Sequence, residues 1–142
     1  MFSPLMQQII EREGLPVLSA ETLDDFAREA GDMVLMVGGD WHRHVEVNDL
    51  AVILPEILKA AGGQLTGAVL DRASERSIQT RFRFNRYPVL IFLRNGEYLG
   101  RIQKVLDWAD YITEINAILA RAPHDPPAYE FPDGCAPAQT AN

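Results

Sequence analysis

Cysteine is almost missing: Cys135 is the only one in 142 residues. One thiol can form neither an intramolecular disulfide nor a Cys-x-x-Cys redox pair. Its Pro-rich setting does not suit a catalytic thiolate. Long apolar runs are also missing. No stretch approaches the roughly 18 consecutive apolar residues of a spanning helix, so membrane insertion is not expected. The opening MFSPLMQQIIEREG has no basic n-region and turns acidic at Glu11. It does not read as a secretory signal, and the expected location is the cytoplasm. Basic charge is scarce as well, with 13 Lys and Arg against 20 Asp and Glu, a net charge of −7. The imbalance lies entirely in residues 1–60, which hold eleven acids and four bases, whereas residues 61–142 hold nine of each. Nucleic acid is therefore not the expected partner, because its binding is driven by Lys and Arg neutralising phosphates. An acidic field favours a cationic partner, although acidic surface also serves solubility alone.

What is present suits one globular domain, with 47% apolar residues and clear punctuation by Gly and Pro. Ser3-Pro4 and Gly14 bracket a first helix. LPVLS reads as a short strand, and Thr22 as the cap of LDDFAREA, which ends at Gly31. The continuous run Met33–Gly38 has strand length and suits a strand covered on both faces. A helix is expected from Leu50 to the Gly62-Gly63 pair, with Pro55 inside it and lacking a backbone donor. Gln64–Asp71 reads as a strand, and Ser74–Phe84 as a helix capped by Ser74. Val89–Leu93 and Glu97–Ile102 are joined by Asn95-Gly96, a dipeptide that favours a tight hairpin. Asp107–Arg121 is an amphipathic last helix. Residues 1–122 thus form the expected domain, and 123–142, with five Pro, the expected flexible tail. In that tail Tyr129 and Phe131 are the side chains able to dock on the body or on a partner. Strands alternating with helices imply an α/β fold with a mostly parallel sheet made mixed by the closing hairpin.

A helix containing Pro55, then a strand and a helix, then Tyr87-Pro88 leading into VLIFLRNGEYLG, resembles the thioredoxin fold over roughly residues 15–121. That resemblance implies a three-layer α/β/α sandwich and a cis peptide bond before Pro88. Thioredoxins place their Cys-x-x-Cys after the second strand; here that place is taken by GGDWHRHVEVND, Gly38 to Asp49, which contains no sulfur. Thiol–disulfide exchange needs a thiolate nucleophile, so redox chemistry is excluded there. The loop also carries Asp40, Arg43, Glu46 and Val47 in an Asp-x-x-Arg-x-x-Glu-Val pattern, with Asp49 following. Together with Tyr87, Pro88, Gly96, Tyr98, Gly100 and Trp108, this pattern resembles the hydrogenase expression/formation proteins of the HyaE/HupG/HoxO type. The resemblance implies a cytoplasmic, non-enzymatic accessory chaperone in maturation of an uptake [NiFe]-hydrogenase. Its partner would be the twin-arginine signal peptide of the small-subunit precursor, bound before export, with other maturation proteins as further partners. No cofactor is implied.

Three chemistries compete for the loop. If extended, it would put Asp40, His42, His44 and Glu46 on one face, and carboxylate with imidazole suits zinc or nickel. A metal-binding maturation factor using His42 and His44 is thus the alternative, with an interaction scaffold as a third reading. Arg43 in their midst counts against a metal. Hydrolysis lacks a nucleophile elbow. Grip is the preferred reading: guanidinium forks pair bidentately with carboxylates, and Asp40, Glu46, Asp49 and Glu56 gather around one helix start. Trp41 adds contact area. The expected peptide-binding residues are Asp40, Trp41, Arg43, Glu46, Asp49 and Glu56, with Pro88 structural. Each acid also has a plain structural use, because carboxylates in a first turn complement the helix dipole by ~0.3–1 kcal/mol.

Overall fold

The computed structural model describes residues 2–128. Its elements follow the expected order: α1 (Pro4–Glu13), β1 (Val17–Leu18), α2 (Leu23–Ala30), β2 (Asp32–Val37), α3 (Glu46–Ala60), β3 (Thr66–Leu70), a 3-10 turn (Arg72–Ser74), α4 (Glu75–Phe82), β4 (Val89–Arg94), β5 (Glu97–Ile102) and α5 (Trp108–Leu119). The strands form one sheet in the order β1-β3-β2-β4-β5. β1, β3 and β2 run parallel, whereas β4 is antiparallel to β2 and β5 is antiparallel to β4.

β2 and β4 show how this sequence makes three layers. Both are apolar throughout because both faces are covered. Val34 and Met36 of β2, with Leu90 and Phe92 of β4, pack under α1, α3 and α5. The intervening Met33, Leu35 and Val37, with Val89, Ile91 and Leu93, pack under α2 and α4. The period-2 alternation of strand side chains thus assigns each residue to one of two cores. The α/β/α sandwich with a mixed sheet, and the cis Tyr87–Pro88 bond, are as the sequence led us to expect. Asn95 and Gly96 turn the β4–β5 hairpin with φ of 52° and 88°, the pair of positive angles that a type I′ turn demands.

Local corrections concern the helix starts. α3 begins at Glu46, four residues before the expected Leu50, so Asp49 lies inside its first turn. Thr22 and Ser74 occupy their N-cap positions without capping. The Thr22 hydroxyl instead accepts from the Ser19 amide at 2.9 Å. The Ser74 hydroxyl, from across the sequence, accepts from the Ala20 amide at 2.8 Å. Ser3 does cap α1: its Oγ accepts from the Met6 amide at 3.1 Å and donates to Asn48 Oδ1 at 2.6 Å, pinning the start of α1 to α3.

Beyond α5 the chain runs back along the outer strand. The His124 amide donates to the Tyr98 carbonyl at 3.0 Å, and the Arg83 guanidinium donates to the Pro126 carbonyl at 2.9 Å. The remainder of the expected tail, including Tyr129, Phe131 and Cys135, lies outside the described residues.

Candidate peptide-binding site

The stretch between β2 and α3 is folded back, not extended. The Asp40 carbonyl accepts from the amides of Arg43 and His44 at 3.0 and 2.9 Å, and Asp40 Oδ1 accepts from the His42 amide at 3.0 Å. This local use of an Asp to cap its own turn is common chemistry for the residue. The turn dissolves the shared face that a metal reading of the loop requires. The His42 ring stacks on Trp41 with centroids 3.9 Å apart, while the His44 ring tilts against Tyr87 at 5.7 Å. Among the described residues no three His, Cys, Asp or Glu gather as a metal would need.

Two contacts fix where the turn sits. Gly39 has φ +78°, and a Cβ there would fall 2.5 Å from the Cβ of Tyr87. Only glycine allows this approach of the loop to the Tyr87–Pro88 segment. The Gly39 amide also donates to Glu75 Oε2 at 2.9 Å. Glu75 is a buried carboxylate at the start of α4 whose other oxygen pairs with the Arg72 Nε at 2.9 Å. A buried charge needs such partners. Glu75 was not among the residues singled out from the sequence. It lies 36 positions from Gly39, and the only local hint is its i, i+3 relation to Arg72.

The expected binding residues divide. Glu46 and Asp49 stand exposed in the first turn of α3 and make no ion pair among the described residues. No side chain caps this helix start, so its amide dipoles help to hold the two carboxylates. Asp49 approaches the Tyr111 phenol at the start of α5. That phenol titrates above its ordinary range, chiefly because it is buried, with the Asp49 charge adding to the effect. Asp40 is half-buried and bonded into the turn. Trp41 is half-buried against the core under α1, α3 and α5. Arg43 is exposed and makes no side-chain bond to Asp40 among the described residues, only the amide bond given above. Glu56 lies ten residues beyond Glu46, about 15 Å along the helix, and is paired with Lys59 at 3.4 Å.

Beside the turn opens a groove of about 530 Å³ between α3, the Asn85–Pro88 segment and the chain leaving β5. Glu46, His44, Tyr87 and Pro88 line it, as do Arg86 and Lys104. Of the expected binding residues only Glu46 reaches it. The floor is therefore not purely acidic, a feature that composition does not disclose. An apolar fringe surrounds this end of the fold: Val45 is 77% exposed, Trp108 46% and Val105 39%.

Known proteins match this chain in sequence and in fold. The sequence profile of the family described as Hydrogenase-1 expression protein HyaE fits residues 5–111. The chain belongs to the HyaE family of hydrogenase expression proteins. Among relatives, the hydrogenase expression/formation protein HoxO of Azotobacter vinelandii is 42% identical over 127 residues, 89% of this chain and 85% of that protein. HupG of Bradyrhizobium diazoefficiens is 42% identical over 116 residues, 79% of this chain and 78% of its own. The crystal structure assigned as the hydrogenase expression/formation protein HupG of Rhodopseudomonas palustris superposes with a TM-score of 0.54 at 37% identity. It covers 74% of this chain and 95% of that one. Zinc-bound human ERp44, at 24% identity, shares only the thioredoxin-like fold, with a TM-score of 0.54 over 70% of this chain and 31% of its own. This member of the HyaE family is thus an accessory protein of hydrogenase expression and formation, and none of its described helices is long and apolar enough to cross a membrane.

Proposed function

We propose that this HyaE-family protein is a non-enzymatic chaperone. It binds the basic twin-arginine signal peptide of a hydrogenase small-subunit precursor in the cytoplasm and holds the precursor until assembly is complete. The observation that carries the reading is the pair Glu46 and Asp49: exposed, one helical turn apart, and without a cationic partner among the described residues. Residues three apart on a helix present adjacent side chains, so two carboxylates can meet two guanidinium forks of one short segment. The exposed Val45 and Trp108, with the half-buried Trp41, supply apolar surface for the hydrophobic stretch of such a peptide. The acidic balance of residues 1–60 steers a basic guest toward this end. Asp40 contributes charge while holding the turn, and Arg43 excludes guests whose cations are misplaced. Glu56, already paired, acts at most as part of the long-range field.

Calorimetric titration with a twin-arginine peptide and its Lys-Lys counterpart tests this. The arginine form should bind more tightly, by roughly tenfold if one bidentate pair worth ~1.4 kcal/mol is lost. Both affinities should fall as salt is added. Glu46→Gln with Asp49→Asn should abolish the preference at a small cost in stability, ~0.3–1 kcal/mol for each first-turn charge lost, with the thermal transition retained, since both side chains are exposed. Equal affinity for the two peptides, or none for either, overturns the proposal.

A further inference from the structure

Opposite charges share the groove beside Pro88 without pairing. Glu46 lines it from α3, Arg86 from the Asn85–Pro88 segment and Lys104 from the chain leaving β5. All three are exposed, and none is in an ion pair among the described residues. We infer that this groove selects a guest of ordered charge. The guest's arginines lie against Glu46 and Asp49, and a carboxylate close by in its own sequence lies against Arg86 and Lys104. The inference rests on the signal-peptide reading and adds to it which of such peptides the groove accepts.

The segregation of charge begins in the sequence. Residues 76–104 hold seven bases and one acid, against the acidic balance of residues 1–60. Four of those bases are bonded within the fold. Arg81 pairs with Asp24 and Arg94 with Asp32, while Arg83 and Arg101 donate to backbone carbonyls. Arg86 and Lys104 are instead brought together at the groove. The Asn85 amide donates to Gln103 Oε1 at 3.2 Å, tying the residue before each cation to the other's strand of chain. A guest carrying arginines alone would satisfy Glu46 and press like charge against this pair, and such repulsion is a source of specificity. A carboxylate in the guest turns the repulsion into attraction, with Arg86 offering a bidentate fork and Lys104 a point charge. The groove encloses about 530 Å³, room for only a few residues of extended chain at ~3.4 Å each. The carboxylate must therefore stand near the arginines in the guest's sequence.

Calorimetric titration of the full chain with synthetic twin-arginine peptides tests the inference. In one series a single position, about three residues before or after the arginine pair, is Asp or Asn; in a control the Asp lies about ten residues away, beyond the groove's reach. On one side of the pair the Asp form should bind about tenfold more tightly than the Asn form, and the distant Asp should bring no gain. The sign is diagnostic, because an acidic field alone would repel the added carboxylate. Arg86→Gln with Lys104→Gln should remove the gain, and Arg86→Glu with Lys104→Glu should make the Asp form the weaker binder. Both side chains are exposed, so the thermal transition should stay near that of the wild type. Equal affinity of the Asp and Asn forms on both sides overturns the inference and leaves the twin-arginine reading standing. A gain that survives both double substitutions overturns it as well. Binding by none of the peptides overturns the reading and the inference together.

Discussion

Replacing Gly39 by alanine tests whether the turn before α3 is truly clamped to the cis-proline segment. Two costs add at this position. The left-handed φ of +78° strains any residue with a Cβ by ~1 kcal/mol. The new methyl also lands 2.5 Å from the Cβ and 2.6 Å from the Cγ of Tyr87, and relieving such overpacking costs ~1–3 kcal/mol. Tyr87 cannot rotate its own Cβ away, so backbone must move on one side. The sum is ~2–4 kcal/mol, a fall in Tm of about 10 °C for a chain of this size. Gly62→Ala is the control: its φ is +62°, but nothing lies within 4 Å of a Cβ there, so only the ~1 kcal/mol of strain applies. Thermal unfolding followed by circular dichroism on both variants isolates the clash. Should Gly39→Ala match Gly62→Ala, the turn and the Tyr87–Pro88 segment part at no cost. The geometry described for the site would then be wrong.

Glu75→Gln keeps an acceptor for the Gly39 amide but removes the charge that faces Arg72. It should cost ~1–3 kcal/mol, and Glu75→Ala more, read from urea midpoints; a midpoint equal to wild type would show that the carboxylate does not hold the turn. The phenols of Tyr98 and Tyr111 are both raised above their ordinary value, first by burial. A raised acid favours its protonated form in the fold, so this stability is complete below the unfolded pKa of about 10 and is lost as pH rises through the folded value. Unfolding measured across the alkaline range should steepen above that point, less so in Tyr98→Phe with Tyr111→Phe; identical slopes would refute it.

Much of the fold was legible because its boundaries are local chemistry. Ser3-Pro4, Gly14, Gly31, Gly62-Gly63 and Asn95-Gly96 each act through their own backbone angles or neighbouring amides, and the elements stop where these residues stand. The hydroxyls of Thr22 and Ser74 deceived because amides outside their helices took them: that of Ser19, three residues back, and that of Ala20, from across the sequence. The site was less legible than the fold. Its residue types could be listed, but whether the loop was extended or turned depended on Asp40 bonding its own backbone and on Glu75 arriving from another layer. Neither the local Asp40 bond nor the long-range Glu75 contact leaves a period in the sequence. The cis bond before Pro88 was foreseen by resemblance, since no local signal separates that proline from the others.

β1 contains only Val17 and Leu18, and the opposite border of the sheet is shadowed by the residues around His124. Neither rim offers a stranger chain many free backbone partners in sequence. Under the proposed function, a holder of an unfinished precursor would have to avoid being drawn into ladders with its client or its twins. Discrimination would then be left to side chains, whose charge and shape can tell one guest from another, where a bare strand would accept them all.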